Sequence, residues 1–210
     1  MQSFFESRLI ELQAGSWPRV APVITVRAAD AVAASGGSLF GLFVAQIGLP
    51  AHQALLLTAW PDPQALARGA DLAIDAVSEV RSLSSERIAA TVRPIEAAPR
   101  TEPGVYAHRW FEIAEADWPE FLELSEAAWP EFEKSFGVEV QGLFRSLDTE
   151  PPAARVLLLT RYPSLAVWER SRQPSGPGPQ QEASFAHFRR RARLIRSTVV
   201  VTTRLAGARD

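Results

Sequence analysis

The chain carries two copies of one sequence pattern, and this repeat restricts the possible folds more than any other feature of its 210 residues. Identical or chemically similar residues occur in the two halves at a constant offset of 101 residues. The pairs are Phe5 and Tyr106, Arg8 and Arg109, Glu11 and Glu112, Ser16 and Asp117, Trp17 and Trp118, Pro18 and Pro119, and Gly41-Leu42-Phe43 and Gly142-Leu143-Phe144. A repeat this long predicts a duplicated domain rather than a solenoid of short units.

Composition agrees with two compact domains of about 100 residues each, because 47% of the residues are hydrophobic. We place the units at residues 1–98 and 102–207, with a proline-containing linker between them. The net charge of −2 gives no electrostatic footprint for nucleic acid or an anionic membrane. The absence of cysteine excludes disulfides, thiol nucleophiles and cysteine-ligated metals. With no apolar run of about 20 residues and no signal-peptide pattern, we expect a cytoplasmic protein without a membrane partner.

Each half has the pattern of β-α-β-β-α-β. The strands predicted in the first half are Phe4 to Leu12, Leu39 to Ile47, Gln53 to Trp60 and Ile88 to Ile95, and those in the second are Val105 to Ile113, Val138 to Leu147, Arg155 to Tyr162 and Thr198 to Leu205. Helices are predicted after the first and third strand of each half. This is the ferredoxin-like arrangement.

Helix signals accompany the pattern. Asp117 and Glu120 have the spacing of a capping box, and Pro119 suits the first turn. Pro130 is expected to kink or end that helix near Trp129. In the first half, Asp62 followed by Pro63 predicts the start of the second helix.

The third strands predict how the halves combine. Leu55-Leu56-Leu57-Thr58 returns as Leu157-Leu158-Leu159-Thr160, and a strand with such an unbroken apolar run is buried on both faces. Helices cover only one face of a ferredoxin-like sheet, so the other half must cover the second face. We therefore predict an α+β fold in which the two units pair sheet to sheet as an intrachain pseudo-dimeric α/β barrel.

The second half resembles a NIPSNAP domain of the dimeric α/β-barrel superfamily. The resemblance rests on Tyr106 and Arg109 in the first strand, the helix Trp118 to Phe136, the Gly142-Leu143-Phe144 strand, and the segment Leu158 to Trp168. It covers nearly all of Val105 to Leu205, and the first half fits it more weakly. The resemblance implies the fold and no particular reaction.

Most motifs of catalysis are absent. The chain has no G-x-G-x-x-G, P-loop, G-x-S-x-G or H-E-x-x-H sequence. The three histidines, His52, His108 and His187, lack metal-ligand spacing. We therefore predict no metal site and no cofactor.

His108 is the strongest candidate for a catalytic group. Strand alternation places Tyr106, His108 and Trp110 on one face, with Arg109 on the other. The first half has Phe5, Ser7 and Leu9 at these positions, so only the second half gains polar groups there. The imidazole is read either as a proton shuttle or as a hydrogen-bonded core residue.

Other candidates have a structural and a functional interpretation. Arg8 and Arg109 need a counter-ion if buried, and the nearest acids are Glu11 and Glu112. We expect a shared architectural role for both arginines, with Arg109 supporting the site from the opposite face. Trp129 either fills the core or closes a pocket from the helical side. Gly41 and Gly142 favour a bulge, and the run Arg189-Arg190-Arg191 favours a solvated helix face.

Three functional hypotheses follow. The first is a hydrophobic or aromatic ligand bound between sheet and helices of the second half by Tyr106, Arg109, Trp110 and Trp129, with cofactor-free acid–base chemistry of isomerase, cyclase or monooxygenase type at His108. The second is a non-catalytic interaction or scaffold protein. The third is a haem-binding barrel with His108 or His187 as axial ligand. A homo-oligomer is compatible with each.

Overall fold

The described part of the first half forms four strands and two helices. The structure is a computed structural model that describes residues 4–12, 17–69, 79–94, 96–172 and 179–207. The elements of this half are β1 (Phe4–Leu12), α1 (Trp17–Ala34), β2 (Ser38–Ile47), β3 (Gln53–Trp60), α2 (Pro63–Gly69) and β4 (Val80–Ala90).

The second half repeats this order with an added 3-10 turn and with two helices before its last strand. Its elements are β5 (Val105–Ala114), a 3-10 turn (Glu115–Asp117), α3 (Trp118–Phe136), β6 (Glu139–Ser146), β7 (Ala153–Tyr162), α4 (Leu165–Arg172), α5 (Pro179–Ala192) and β8 (Ile195–Leu205). No helix in the described ranges is long and apolar enough to cross a membrane.

The eight strands close into one barrel in the order β1-β3-β2-β8-β5-β7-β6-β4. The order within each half is the same, β4-β1-β3-β2 and β8-β5-β7-β6, and all neighbours are antiparallel. The sequence indicated that one half covers the other. It did not indicate the two seams, β2 with β8 and β4 with β6, where the sheets join by hydrogen bonds. These seams remove edges that two separate sheets would leave unpaired.

The barrel interior is filled by aromatic and aliphatic side chains. Phe5, Phe40 and Phe144 meet edge to face, with ring centroids 4.9 to 6.4 Å apart. On the third strands, Leu57 and Leu159 point into this interior, whereas Leu56 and Leu158 point to the helices. The prediction that these strands are buried on both faces is therefore confirmed.

Gly41 and Gly142 each stand at a register shift in their strand pair, as predicted. A side chain at Gly41 would meet the ring of Phe43, and one at Gly142 would meet the ring of Phe144. The two glycines thus let the phenylalanine two residues later fold back over the strand into the barrel.

Helix starts follow the sequence only in part. The Asp62 carboxylate accepts a hydrogen bond from the Ala65 amide at 2.7 Å, as expected of an N-cap. The predicted capping box at Asp117 is wrong, because Asp117 has helical backbone angles and its side chain caps nothing. It belongs to the 3-10 turn that leads into α3.

One element boundary agrees with the prediction and another differs. α3 spans Trp118–Phe136, as the resemblance implied, so Pro130 does not end it, and Gly137 adopts φ 60° directly after it. β4 covers Val80–Ala90 rather than Ile88 to Ile95, and Ile95 itself lies outside the described residues. The early part of β4 is polar and mostly exposed, so hydrophobicity did not reveal it.

Candidate functional site

A cavity of about 360 Å³ lies between the outer face of the second-half sheet and helices α3, α4 and α5. Its wall is largely aromatic and basic. The aromatic side chains are Phe111, Trp129, Phe132, Tyr162, Phe185 and Phe188, and the basic ones are Arg109, Arg172 and Arg191. This size and lining are typical of small-molecule sites.

Strand alternation determines what β5 contributes. Ala107, Arg109 and Phe111 lie on the helix-facing side and line the cavity. α3 contributes Trp129 from the opposite wall. Trp129 therefore lies in the cavity wall on the helical side, and its role in closing a pocket stays a prediction.

Of the three arginines in the cavity wall, Arg191 is the most deeply buried, with 6% of its surface exposed. Its guanidinium lies 4.9 Å from the ring centre of Phe188 and 5.5 Å from that of Phe111. Among the described residues it donates one hydrogen bond, from Nη1 to Ser125 Oγ at 3.1 Å. Burial, with a smaller contribution from the charge of Arg109, lowers the pKa of Arg191 to about 9, while Tyr162 opposes the shift.

Arg109 shares this environment. Burial lowers its pKa to about 10, with a smaller contribution from Arg172, while Tyr162 opposes the shift. None of the carboxylates in the described ranges forms an ion pair with Arg109 or Arg191. The cavity therefore has positive charge that the described residues do not neutralise.

The expected partners of the repeated arginines are wrong. Arg8 pairs with Glu6, at 2.6 Å between Nη2 and Oε1, and not with Glu11. Glu11 instead binds Arg81 and His52 at the surface. Glu112 pairs with Arg155 rather than Arg109. Residues two apart on a strand share a face and residues three apart do not, which is why Glu6 reaches Arg8.

The predicted trio on the other face of β5 does not line this cavity. Tyr106, His108 and Trp110 face the barrel interior. Alternate residues on a strand are about 6.7 Å apart along its axis, so the three spread over about 13 Å. Arg109, expected only to support the site, is the β5 side chain with a charge in the cavity wall.

His108 is enclosed inside the barrel, with 1% of its surface exposed. Its Nε2 is 3.0 Å from Thr203 Oγ1, and that hydroxyl donates to the Tyr106 carbonyl at 3.3 Å. Nε2 is therefore the protonated nitrogen, while Nδ1 has no hydrogen-bond partner in the described structure. Burial lowers the pKa of His108 to about 3, so the imidazole is neutral.

Tyr106 and Trp110 lie near opposite ends of the barrel. Tyr106 borders a small polar pocket with Arg100 and Glu139, and burial raises its pKa to about 12. Trp110 borders an open cleft of about 570 Å³ at the other end, where Arg155 lies 4.4 Å over its ring. Neither residue shares a cavity with His108 or Trp129 in these two sites or in the helix-side cavity.

The residues do not fit the haem hypothesis. Neither His108 nor His187 lines the helix-side cavity. Within the described ranges, no group of three or more His, Cys, Asp or Glu residues is positioned to hold a metal ion.

Arg191 is the functional candidate that sequence reasoning missed. We expected the run Arg189-Arg190-Arg191 to face solvent, and for Arg191 this is wrong, while Arg189 and Arg190 are exposed. Its position three residues after Phe188 places it on the apolar face of α5. The helical spacing therefore predicts that Arg191 is buried, although three consecutive arginines suggest an exposed helix face.

Comparisons with known proteins identify the fold. No protein-family model matches the chain, and no curated protein sequence matches it. A putative chlorite dismutase matches with a TM-score of 0.59 at 13% identity, over 98% of this chain and 95% of its own. An anthrone oxidase-like protein matches with a TM-score of 0.57 at 15% identity, over 98% and 92%.

A NIPSNAP domain protein from Burkholderia xenovorans also matches, over 47% of this chain and 90% of its own at 15% identity. Its TM-score of 0.37 is too low to bear on the family of this chain. The chain has the fold of dimeric α/β-barrel proteins.

Proposed function

We propose that this protein binds a small hydrophobic or aromatic molecule in the helix-side cavity of its second half. The observation that carries the proposal is the cavity itself, about 360 Å³ between sheet and helices with six aromatic residues in its wall. Aromatic walls stabilise flat apolar ligands through burial and ring contacts.

The corresponding layer of the first half supports the proposal by contrast. Trp60 is fully buried there and donates from Nε1 to Thr58 Oγ1 at 2.9 Å. Its counterpart in the second half is the smaller Tyr162, and the counterpart of Thr58 is Thr160. Both Tyr162 and Thr160 line the cavity. The second half thus has a smaller side chain, Tyr162, at the position where Trp60 fills this layer in the first half.

Binding, rather than a particular reaction, is what the geometry supports. A general base must come within hydrogen-bond reach of its substrate. His108 faces the barrel interior, so a ligand in the helix-side cavity would lie across the sheet from it. Catalysis by His108, with Tyr106 and Trp110 as ligand contacts, stays a prediction that requires a substrate inside the barrel.

The interaction-protein alternative has less support. Among the described residues, the exposed large hydrophobic side chains are spread over several parts of the chain: Val23, Val26, Ile47, Leu83, Leu147 and Val199. Single exposed apolar residues of this kind are ordinary.

We also propose that the chain is a tandem duplication, NIPSNAP-like in its second unit, with units at residues 1–98 and 102–207. The identical strand order of the two halves supports this origin. A cytoplasmic location and a homo-oligomeric state remain predictions.

Fluorescence titration with the neutral aromatic probe N-phenylnaphthylamine tests the binding proposal. We expect saturable binding of one probe per chain. Ala192→Trp places an indole in the cavity wall and should weaken binding at least tenfold. Ala127→Trp makes the same change at an exposed position of α3 outside that wall, and should leave binding unchanged. Absence of saturable binding, or equal effects of the two variants, would contradict the proposal.

A further inference from the structure

The two halves differ in how they treat one repeated arginine. In the first half, the Arg8 guanidinium is neutralised by Glu6 two residues earlier, with contacts of 2.6 Å and 3.3 Å to the two carboxylate oxygens. The position equivalent to Glu6 in the second half is Ala107. Ala107 lines the cavity beside Arg109. The second half has therefore kept the cation and has a methyl group where the first half has the carboxylate.

The cavity wall has hydrogen-bond donors without acceptors. Arg191 Nε is buried with no acceptor in the described part of the chain. The same holds for Nε1 of Trp129 on the opposite wall. Guanidinium and indole groups donate only, so their natural complement is a group that only accepts. An unmatched buried donor costs about 1–3 kcal/mol, which a ligand can recover.

The charged side chains in the described cavity wall are all positive. The charge of Arg172 disfavours the charged form of Arg109, and the charge of Arg109 disfavours that of Arg191. Like charges in a shared apolar site are unfavourable, and an anion between them relieves both the desolvation and the repulsion. Water accepts hydrogen bonds but brings no charge.

We propose that the ligand of this cavity is a hydrophobic or aromatic carboxylic acid, whose carboxylate binds Arg109 and Arg191 and occupies the place that Glu6 holds beside Arg8. This inference rests on the proposed function, because it names the chemical class of the molecule in the same cavity. Arginine binds a carboxylate through two parallel hydrogen bonds, which gives the site orientation as well as charge. The aromatic wall receives the apolar body of the acid.

The experiment compares two probes that differ in one anionic group: N-phenylnaphthylamine and anilinonaphthalene sulfonate, its sulfonated relative. Wild-type protein should bind the sulfonate at least tenfold more tightly than the neutral probe. Naphthoate should displace the sulfonate, and naphthamide, which has nearly the same shape without the charge, should displace it at least tenfold more weakly. Displacement by naphthoate separates a carboxylate site from a site selective for sulfonates.

Ala107→Glu builds the missing carboxylate into the chain, and Ala107→Gln has the same size without the charge. The Glu variant should lose at least tenfold more sulfonate affinity than the Gln variant. The affinities of the two variants for the neutral probe should differ by less than threefold. Arg109→Gln provides a second variant if Ala107→Glu fails to fold. It should abolish the preference for the sulfonate and leave the neutral probe bound.

The outcomes separate the two proposals. If the neutral probe binds at the cavity but the sulfonate has no advantage, or Ala107→Glu and Ala107→Gln behave alike, the anion inference is overturned and the binding proposal stands. If neither probe binds, both are overturned. If the sulfonate binds and naphthoate fails to displace it, the carboxylate assignment is wrong.

Discussion

The helix-side layers of the two halves begin from the same sequence pattern and differ in content. In the first half, α1 and α2 pack on β1, β2 and β3 through one continuous apolar cluster that includes Trp60, and the buried Arg8 has its carboxylate within the chain. In the second half, the apolar residues fall into two clusters, with a cavity at the sheet–helix interface and Arg109 in its wall.

Under the binding proposal, the repeated layer has a structural role in the first half and a binding role in the second. Two exchanges accompany the cavity: Trp60 to Tyr162 reduces volume, and Glu6 to Ala107 removes a charge. Each exchange leaves something unsatisfied in the free protein, a void in one case and a cation in the other. Binding sites commonly carry such costs, and the stability is supplied by the rest of the fold.

The largest expected effect comes from expressing the two halves of the chain as separate fragments. Each half has its own helix-side layer, but the barrel interior takes side chains from both, such as Phe5 and Phe144. We expect fragments of Met1 to Ala98 and Thr101 to Asp210, expressed apart, to lack cooperative unfolding as monomers. Circular dichroism and urea titration would measure this. Two soluble, cooperatively folding monomers would show that the halves do not depend on the shared interior.

Matched substitutions at the repeated arginine should have opposite consequences. Arg8→Gln removes the guanidinium that pairs with the buried Glu6 carboxylate and should lower the free energy of unfolding by about 3–5 kcal/mol. Arg109→Gln removes a buried cation that no described carboxylate neutralises, and should leave the free energy of unfolding unchanged or raise it by up to about 1 kcal/mol. Urea denaturation of the ligand-free variants measures both.

An equal loss of stability in Arg8→Gln and Arg109→Gln would mean that Arg109 has a structural counterpart to Glu6. Adding naphthoate to the wild type and to Arg109→Gln gives a control. The acid should stabilise only the wild type, because ligand binding to the folded state raises stability in proportion to affinity.

Sequence reasoning predicted the fold well because the repeat and the hydrophobic pattern are both long-range signals. The unbroken apolar runs at Leu55 and Leu157 required two buried faces, and the strands of the structure provide them. The seams of the barrel were not foreseen, because hydrogen bonding between β4 and β6 involves backbone groups that side-chain patterns do not encode.

The candidate site was predicted less completely. Polar residues gained on β5 drew attention to His108, yet the informative change was a loss, the replacement of Glu6 by Ala107. An alanine has no chemistry of its own, so its meaning depends on knowing that Glu6 contacts Arg8. Arg191 was missed because the three consecutive arginines were taken as one exposed face, although its spacing from Phe188 places it on the apolar face of α5, the helix that packs against α3.

The smallest expected effect concerns the interior face, where His108 in the second half corresponds to Ser7 in the first. Burial lowers the pKa of His108 from 6.5 to about 3, so the folded protein holds a neutral imidazole. Below about pH 6.5 the unfolded chain gains a proton at this histidine that the folded chain does not. Stability from this group is therefore complete above pH 6.5 and falls on acidification, by at most about 1.4 kcal/mol per pH unit, until the folded imidazole protonates near pH 3.

His108→Ser copies the first half and removes this contribution. Between pH 7 and pH 5.5, wild-type protein should lose about 1 kcal/mol more stability than His108→Ser, as measured by urea denaturation at both pH values. Because both proteins share every carboxylate, their common acid sensitivity cancels in this difference. Equal losses would show that His108 can protonate within the folded barrel, and would restore it as a candidate for proton transfer there.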